Sequence, residues 1–160
     1  MIILGIDPAL SITGYGVIDF NKNRIALIEA GIISTQANQP ITQRLDRIYK
    51  AITKLISDIN PSAVVLEKVY AHYRHPMTSF VLGQARGVIC LACAKDGLEL
   101  VEHSATRIKK AIVGKGLASK YQVQHAVSDI LNLKSLPKYN DVTDALALAL
   151  AHGFMNKNKL

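Results

Sequence analysis

Several features that mark other protein classes are scarce in this chain of 160 residues. Two cysteines cannot frame a disulfide scaffold, so a reducing, cytoplasmic setting is expected. Tryptophan is absent and aromatics make up only 6% of the chain. Charge or glycine interrupts each strongly apolar stretch before the ~18 residues that a membrane span needs, so no span is expected. The opening Met1-Ile2-Ile3-Leu4-Gly5-Ile6-Asp7 has no basic segment and no small-residue cleavage site, so it does not read as a signal peptide. Repeats, low-complexity tracts and linkers are missing too. One domain over residues 1–155 is expected, with 156–160 as a flexible polar tail. Acid is the last shortage. Twelve Asp and Glu face 19 Lys and Arg, a net charge of +7, with an isoelectric point near 9.5. That balance favours a polyanionic partner such as nucleic acid or an anionic membrane surface.

What remains is an ordinary globular balance, 49% hydrophobic and 19% charged. Ile2 to Ile6 form a continuous apolar run that stops at Asp7-Pro8, the signature of a strand buried on both faces. Residues 13–20 and 24–35 read as two more strands, separated by the turn Asn21-Lys22-Asn23. Connections this short specify an antiparallel meander. Pro40 opens a helix whose apolar residues recur every three or four positions from Ile41 to Ile59, and Asn60-Pro61 stops it. Ala63 to Leu66 form another buried strand, again ending at a carboxylate, Glu67. A long apolar helix over 78–95 and a strand over 98–102 follow. The last third reads as helices, with Ser104 and Ser119 as N-caps, a break at Gly114-Lys115-Gly116, and a final helix from Asp141 to about Phe154. This order predicts an α/β fold: a mixed five-stranded sheet, a three-strand antiparallel meander plus parallel strands, flanked by helices. By analogy of layout it is ribonuclease-H-like.

Four acids stand out. Asp7 and Glu67 end buried strands. If those strands are parallel neighbours, both carboxylates sit at the sheet edge where open α/β sheets bind ligands. Asp141 and Asp144 are three apart at the start of the last helix and share one face of it. Taken singly, Asp7 could cap a turn and Asp141 could be an ordinary N-cap. Together, four carboxylates repel one another unless cations neutralise them. Oxygen donors without a matched His or Cys set select hard ions, Mg²⁺ or Mn²⁺, and such clusters can hold two ions ~3.5–4 Å apart. Setting these four aside leaves eight acids facing the 19 basic residues. An acidic pocket in a basic surface suits a metal-dependent nuclease.

The basic residues are not evenly spread. Between Glu102 and Asp129 there is no acid, and the segment carries Arg107, Lys109, Lys110, Lys115 and Lys120. The lysines around Gly114 and Gly116 can offer ammonium groups to phosphate. The bland alternative is a solvated helix face. Directly after Glu67 come Tyr70, His72, Tyr73, Arg74 and His75. Tyr70, Tyr73 and Arg74 are candidates for stacking on bases and holding backbone. Tyr70 could equally pack into the core. His72 and His75 lack the further ligands that a zinc site requires. Cys90 and Cys93 lie inside an apolar helix and read as core thiols.

The chain resembles the bacterial Holliday-junction resolvases of the RuvC family from Ile2 to about His152. Five blocks carry the resemblance: residues 5–8 with 13–18, 67–70, 82–87, 113–124 and 141–147. The resemblance implies a homodimer that nicks two opposed strands of a four-way DNA junction, leaving 5′-phosphate and 3′-hydroxyl ends. It places the family's acidic metal set on Asp7, Glu67, Asp141 and Asp144, and its basic catalytic and DNA-binding positions on Lys109 and Lys120. It puts a junction-centre aromatic, usually Phe, at Tyr70, and a dimer-forming helix around Gly83 and Gly87. It also implies work with the RuvA–RuvB branch-migration complex. One departure is Ala9, where the family has Gly; a turn requiring positive φ would be strained there. A catalytically inactive junction-binding protein and an actin-like phosphotransferase are the alternative readings.

Overall fold

The computed structural model describes residues 1–69 and 76–157. Among these residues ten elements follow the expected order: β1 (Ile2–Asp7), β2 (Ile12–Phe20), β3 (Ile25–Ser34), α1 (Ile41–Ile59), β4 (Ala63–Glu67), α2 (Pro76–Lys95), β5 (Leu100–His103), α3 (Ala105–Val113), α4 (Lys120–Ile130) and α5 (Asn140–Met155). The strands form one sheet in the order β3-β2-β1-β4-β5. The meander is antiparallel, while β1–β4 and β4–β5 are parallel.

Strand periodicity divides the core in two. Leu4, Ile6, Val17, Val64 and Leu66 point to one face, where the buried stripe Ile48, Ile52, Leu55 and Ile56 of α1 packs together with Ala85, Ile89 and Cys93 of α2. Ile3, Ile18, Phe20 and Val65 point to the other face, covered by α3, α4 and α5. Alternation along the strands therefore assigns Asp7, two residues past Gly5, and Glu67, two past Val65, to the face that carries α5.

Local chemistry sets the boundaries. Asn60 takes a left-handed conformation, φ 48°, and ends α1 ahead of Pro61. Ser104 and Ser119 cap α3 and α4, and Ser119 forms a full capping box with Gln122. Strand β5 starts two residues later than its sequence suggests. Gly97, φ 62°, turns the chain. Its amide bonds to Ala94 O at 3.3 Å, and the Leu98 amide bonds to Cys93 O at 3.0 Å, closing a Schellman cap on α2.

Three further expectations need correction. Ala9 has no positive φ. The turn after Asp7 is held instead by Thr13, whose Oγ1 donates to Ala9 O at 2.6 Å and accepts from Ala9 N at 3.3 Å. Asp141 is not an N-cap; Tyr139 holds that position and Asp141 lies in the first turn of α5. The stretch Met77–Lys95 is long and apolar enough, by length and composition, to cross a membrane. Its apolarity has two sources. Ala85, Ile89, Ala92 and Cys93 are buried against the sheet, and Met77, Phe80 and Leu91 are exposed on the uncovered side. Cys93 is the core thiol expected from its helical setting, and burial pushes its pKa up to about 11.

Candidate active site

The site is built by an arrangement of glycines. Gly5 of β1 lies opposite Gly16 of β2, and Asp7 lies opposite Gly14. A Cβ on Gly5 would come within 2.0 Å of Ala145 O, and one on Gly14 within 2.2 Å of Asp141 O. One on Gly16 would meet the Leu146 side chain at 2.5 Å. Helix α5 thus lies directly on the bare backbone of two strands. That contact brings the first turn of α5, with Asp141 and Asp144, over the carboxyl end of β1. The parallel register Ile6↔Leu66 places Asp7 and Glu67 on neighbouring strand ends.

The four acids share one electrostatic environment. Burial first, and then Asp144, Asp141 and Glu67 in turn, raise the pKa of Asp7 to about 7, against the opposing pull of Lys120. Glu67 is exposed, yet partial desolvation and Asp144 still raise its pKa, while Lys120, Lys109 and Arg86 pull it down. Lys120, the first residue of α4, reaches Asp144 Oδ2 at 3.1 Å. Its own pKa is raised by that hydrogen bond and charge. Among the described residues no three acidic, His or Cys side chains converge on a single ligating point. The acids are gathered at one edge without forming a closed ligand shell. As a donor set they fit a hard divalent cation, because they are all carboxylate oxygens, and the burial and mutual repulsion that raise the pKa of Asp7 are a cost that a positive charge offsets.

A cleft of about 170 Å³ opens beside them, with Glu67, Asp144, Lys109 and Lys120 on its polar side and Ile108 and Leu148 on its apolar side. Of the basic residues singled out by sequence, Lys109 and Lys120 line this cleft. Arg107 and Lys110 are exposed on α3, and Lys115 on the turn after it, outside the lining. Tyr70, His72, Tyr73, Arg74 and His75 lie outside the described residues. Sequence reasoning missed three contributors. Gly14 and Gly16 were visible as glycines inside a strand, a signal of close backbone approach. Arg86 donates from Nη1 to Glu67 O at 2.9 Å and pairs through Nη2 with Glu102; a lone arginine in an apolar helix gave no such signal.

Comparison with known proteins agrees with this layout. A family profile described as Crossover junction endodeoxyribonuclease RuvC matches residues 3–152. The crossover junction endodeoxyribonuclease RuvC of Clostridioides difficile is 40% identical over 157 residues, covering 98% of this chain and 92% of that protein. The solved structure of Thermus thermophilus RuvC in complex with a Holliday junction substrate superposes with a TM-score of 0.93 at 29% identity, covering 99% of this chain and 96% of that one. Yeast mitochondrial resolvase Ydc2, at 14% identity and a TM-score of 0.69, shares the fold. Matched by the family profile over residues 3–152 and by its relatives over nearly the whole of its length, the chain belongs to the RuvC family of crossover junction endodeoxyribonucleases.

Proposed function

We propose that this chain is a metal-dependent endonuclease that resolves four-way DNA junctions by paired, symmetric nicks, leaving 5′-phosphate and 3′-hydroxyl ends, as part of recombination and repair in the cytoplasm. The observation that carries this reading is the set Asp7, Glu67, Asp141 and Asp144 at one sheet edge, beside a cleft lined by Lys109 and Lys120. The four acids would hold Mg²⁺ or Mn²⁺, two ions per subunit, which supply Lewis acidity to the scissile phosphodiester. Lys109 and Lys120 hold the phosphate and face the negative charge that develops on it. Arg107, Lys110 and Lys115 extend the cationic track along the DNA backbone. Tyr70 is assigned to the junction centre by family resemblance, and Tyr73 and Arg74, by residue type and position after Glu67, to stacking on bases and holding backbone.

Residues 1–155 act as one nuclease domain in this reading. The working unit is a homodimer formed through α2, where Gly83 and Gly87 leave open space on the helix surface. Two sites related by a twofold axis would account for two opposed nicks. Family membership supports a functional link to the RuvA–RuvB complex. The test is an end-labelled four-way junction incubated with and without Mg²⁺. Symmetric cuts near the crossover with Mg²⁺, none in chelator and none in linear duplex are expected. Junction binding without cleavage under any divalent cation would leave an inactive binding protein instead.

A further inference from the structure

Arg86 sits midway along α2 with its side chain only 15% exposed. It faces the sheet end, not the open side of the helix. Its Nη1 donates to the main-chain carbonyl of Glu67 at 2.9 Å, and its Nη2 pairs with the Glu102 carboxylate on β5. One guanidinium therefore joins three elements at the point where β4 ends. A guanidinium presents its N–H groups in a fixed planar fork, so holding one arm on Glu102 aims the other at the carbonyl. A lysine ammonium could satisfy either partner but carries no such directional coupling.

We propose that Arg86 is a positioning residue for Glu67: it pins the backbone of β4 at the residue whose carboxylate belongs to the acid set, and so fixes where that carboxylate is presented. The role rests on the nuclease reading above and adds to it a residue outside both the acid set and the lining of the lysine cleft. Glu102 orients the fork, because the two charges meet across the α2–β5 boundary. The consequence is a division of labour along α2. Ala85 and Ile89 anchor the helix in the core, Gly83 and Gly87 face open space, and Arg86 holds the site. An ordinary exposed ion pair would contribute little and would not be sensed at the acids. Arg86 differs because one of its partners is the main chain of a site residue.

The test uses the full chain with Arg86→Lys and Glu102→Gln. Mn²⁺ binding is measured by electron paramagnetic resonance without DNA, beside junction affinity, melting temperature and single-turnover cleavage. Loss of an outer partner of a ligand costs about 10–100-fold in metal affinity or rate. Arg86→Lys is expected to weaken Mn²⁺ binding and slow cleavage by about ten-fold, with junction affinity within about two-fold of the parent. Glu102→Gln is expected to shift both in the same direction by a smaller factor, and it carries the test alone if Arg86→Lys does not fold. Parental Mn²⁺ affinity and rate in the folded variants would overturn the role. So would a loss of rate matched by equal losses of junction affinity and melting temperature, which would mark a general brace. If the parent itself fails to cut junctions, the nuclease reading falls, while Mn²⁺ binding still decides the positioning role.

Discussion

Asp7 carries the sharpest consequence at the scale of single residues. Its folded-state pKa, near 7, lies above its ordinary value of 3.8. Between about pH 4 and 7 the folded chain keeps a proton that the unfolded chain has released, so Asp7 makes the metal-free protein less stable as pH rises through that window. His103 acts in the opposite sense. It is buried beside His152, with Nε2 3.1 Å from the partner's Nδ1. Burial lowers its pKa, so its contribution is lost as pH falls below about 6.5. Comparison of wild type with Asp7→Asn cancels the histidine. In chelator, the gap between the two proteins should be smallest below about pH 4 and widen as pH rises, the variant being the more stable by about 2–4 kcal/mol at pH 7.5. Thermal melts across that range check it, and parallel curves would refute the coupling. The same variant should cut junctions at under about 1% of the parental rate while binding them at least as tightly, because a metal ligand is lost and the basic surface is kept.

At the scale of elements, the seating of α5 governs. Gly14→Ala would drive a methyl into the main-chain carbonyl of Asp141, which has no flexible side-chain end to yield. It should destabilise the fold by about 1–3 kcal/mol or more and lose cleavage even at temperatures where it remains folded. Gly83→Ala, compared at concentrations that keep the protein monomeric because Gly83 lies on the proposed dimer face, is the control. Among the described residues nothing lies within 4 Å of its added methyl, and replacing an interior helical glycine stabilises by about 1 kcal/mol. Calorimetry on the two variants should show shifts of opposite sign. Much of this architecture was legible in the sequence. The run Ile2–Ile6 ending at Asp7, the three-and-four spacing of α1 and the Asn60-Pro61 stop are local signals, and local rules govern them. The start of β5 was misplaced because Leu98-Glu99-Leu100 alternates like a strand, while the cap on α2 claims Leu98 first. The four acids could be grouped by type and by strand end. The glycine seat that brings two pairs together is a contact between segments about 130 residues apart, and no periodicity encodes it.

At the scale of the whole molecule, the sheet separates two surfaces with different chemistry. One face ends in the acid set and the lysine-lined cleft. The other carries α2, whose exposed side combines Met77, Phe80 and Leu91 with two open glycines. A helix this apolar on an uncovered side is expected to bury it against a second copy. Sedimentation at micromolar protein should give a dimer, and Phe80→Glu should shift it to monomer without lowering the monomer's own melting temperature. A strict monomer in the parent would end the paired-nick mechanism. The direct contact of α5 with strand glycines bears on how this site can persist through descent. The spacing between the strand acids and the helix acids is set by main chain against main chain, with no side chain between them to vary. Core side chains around it are free to change, and the dimension of the site is inherited from the peptide backbone itself.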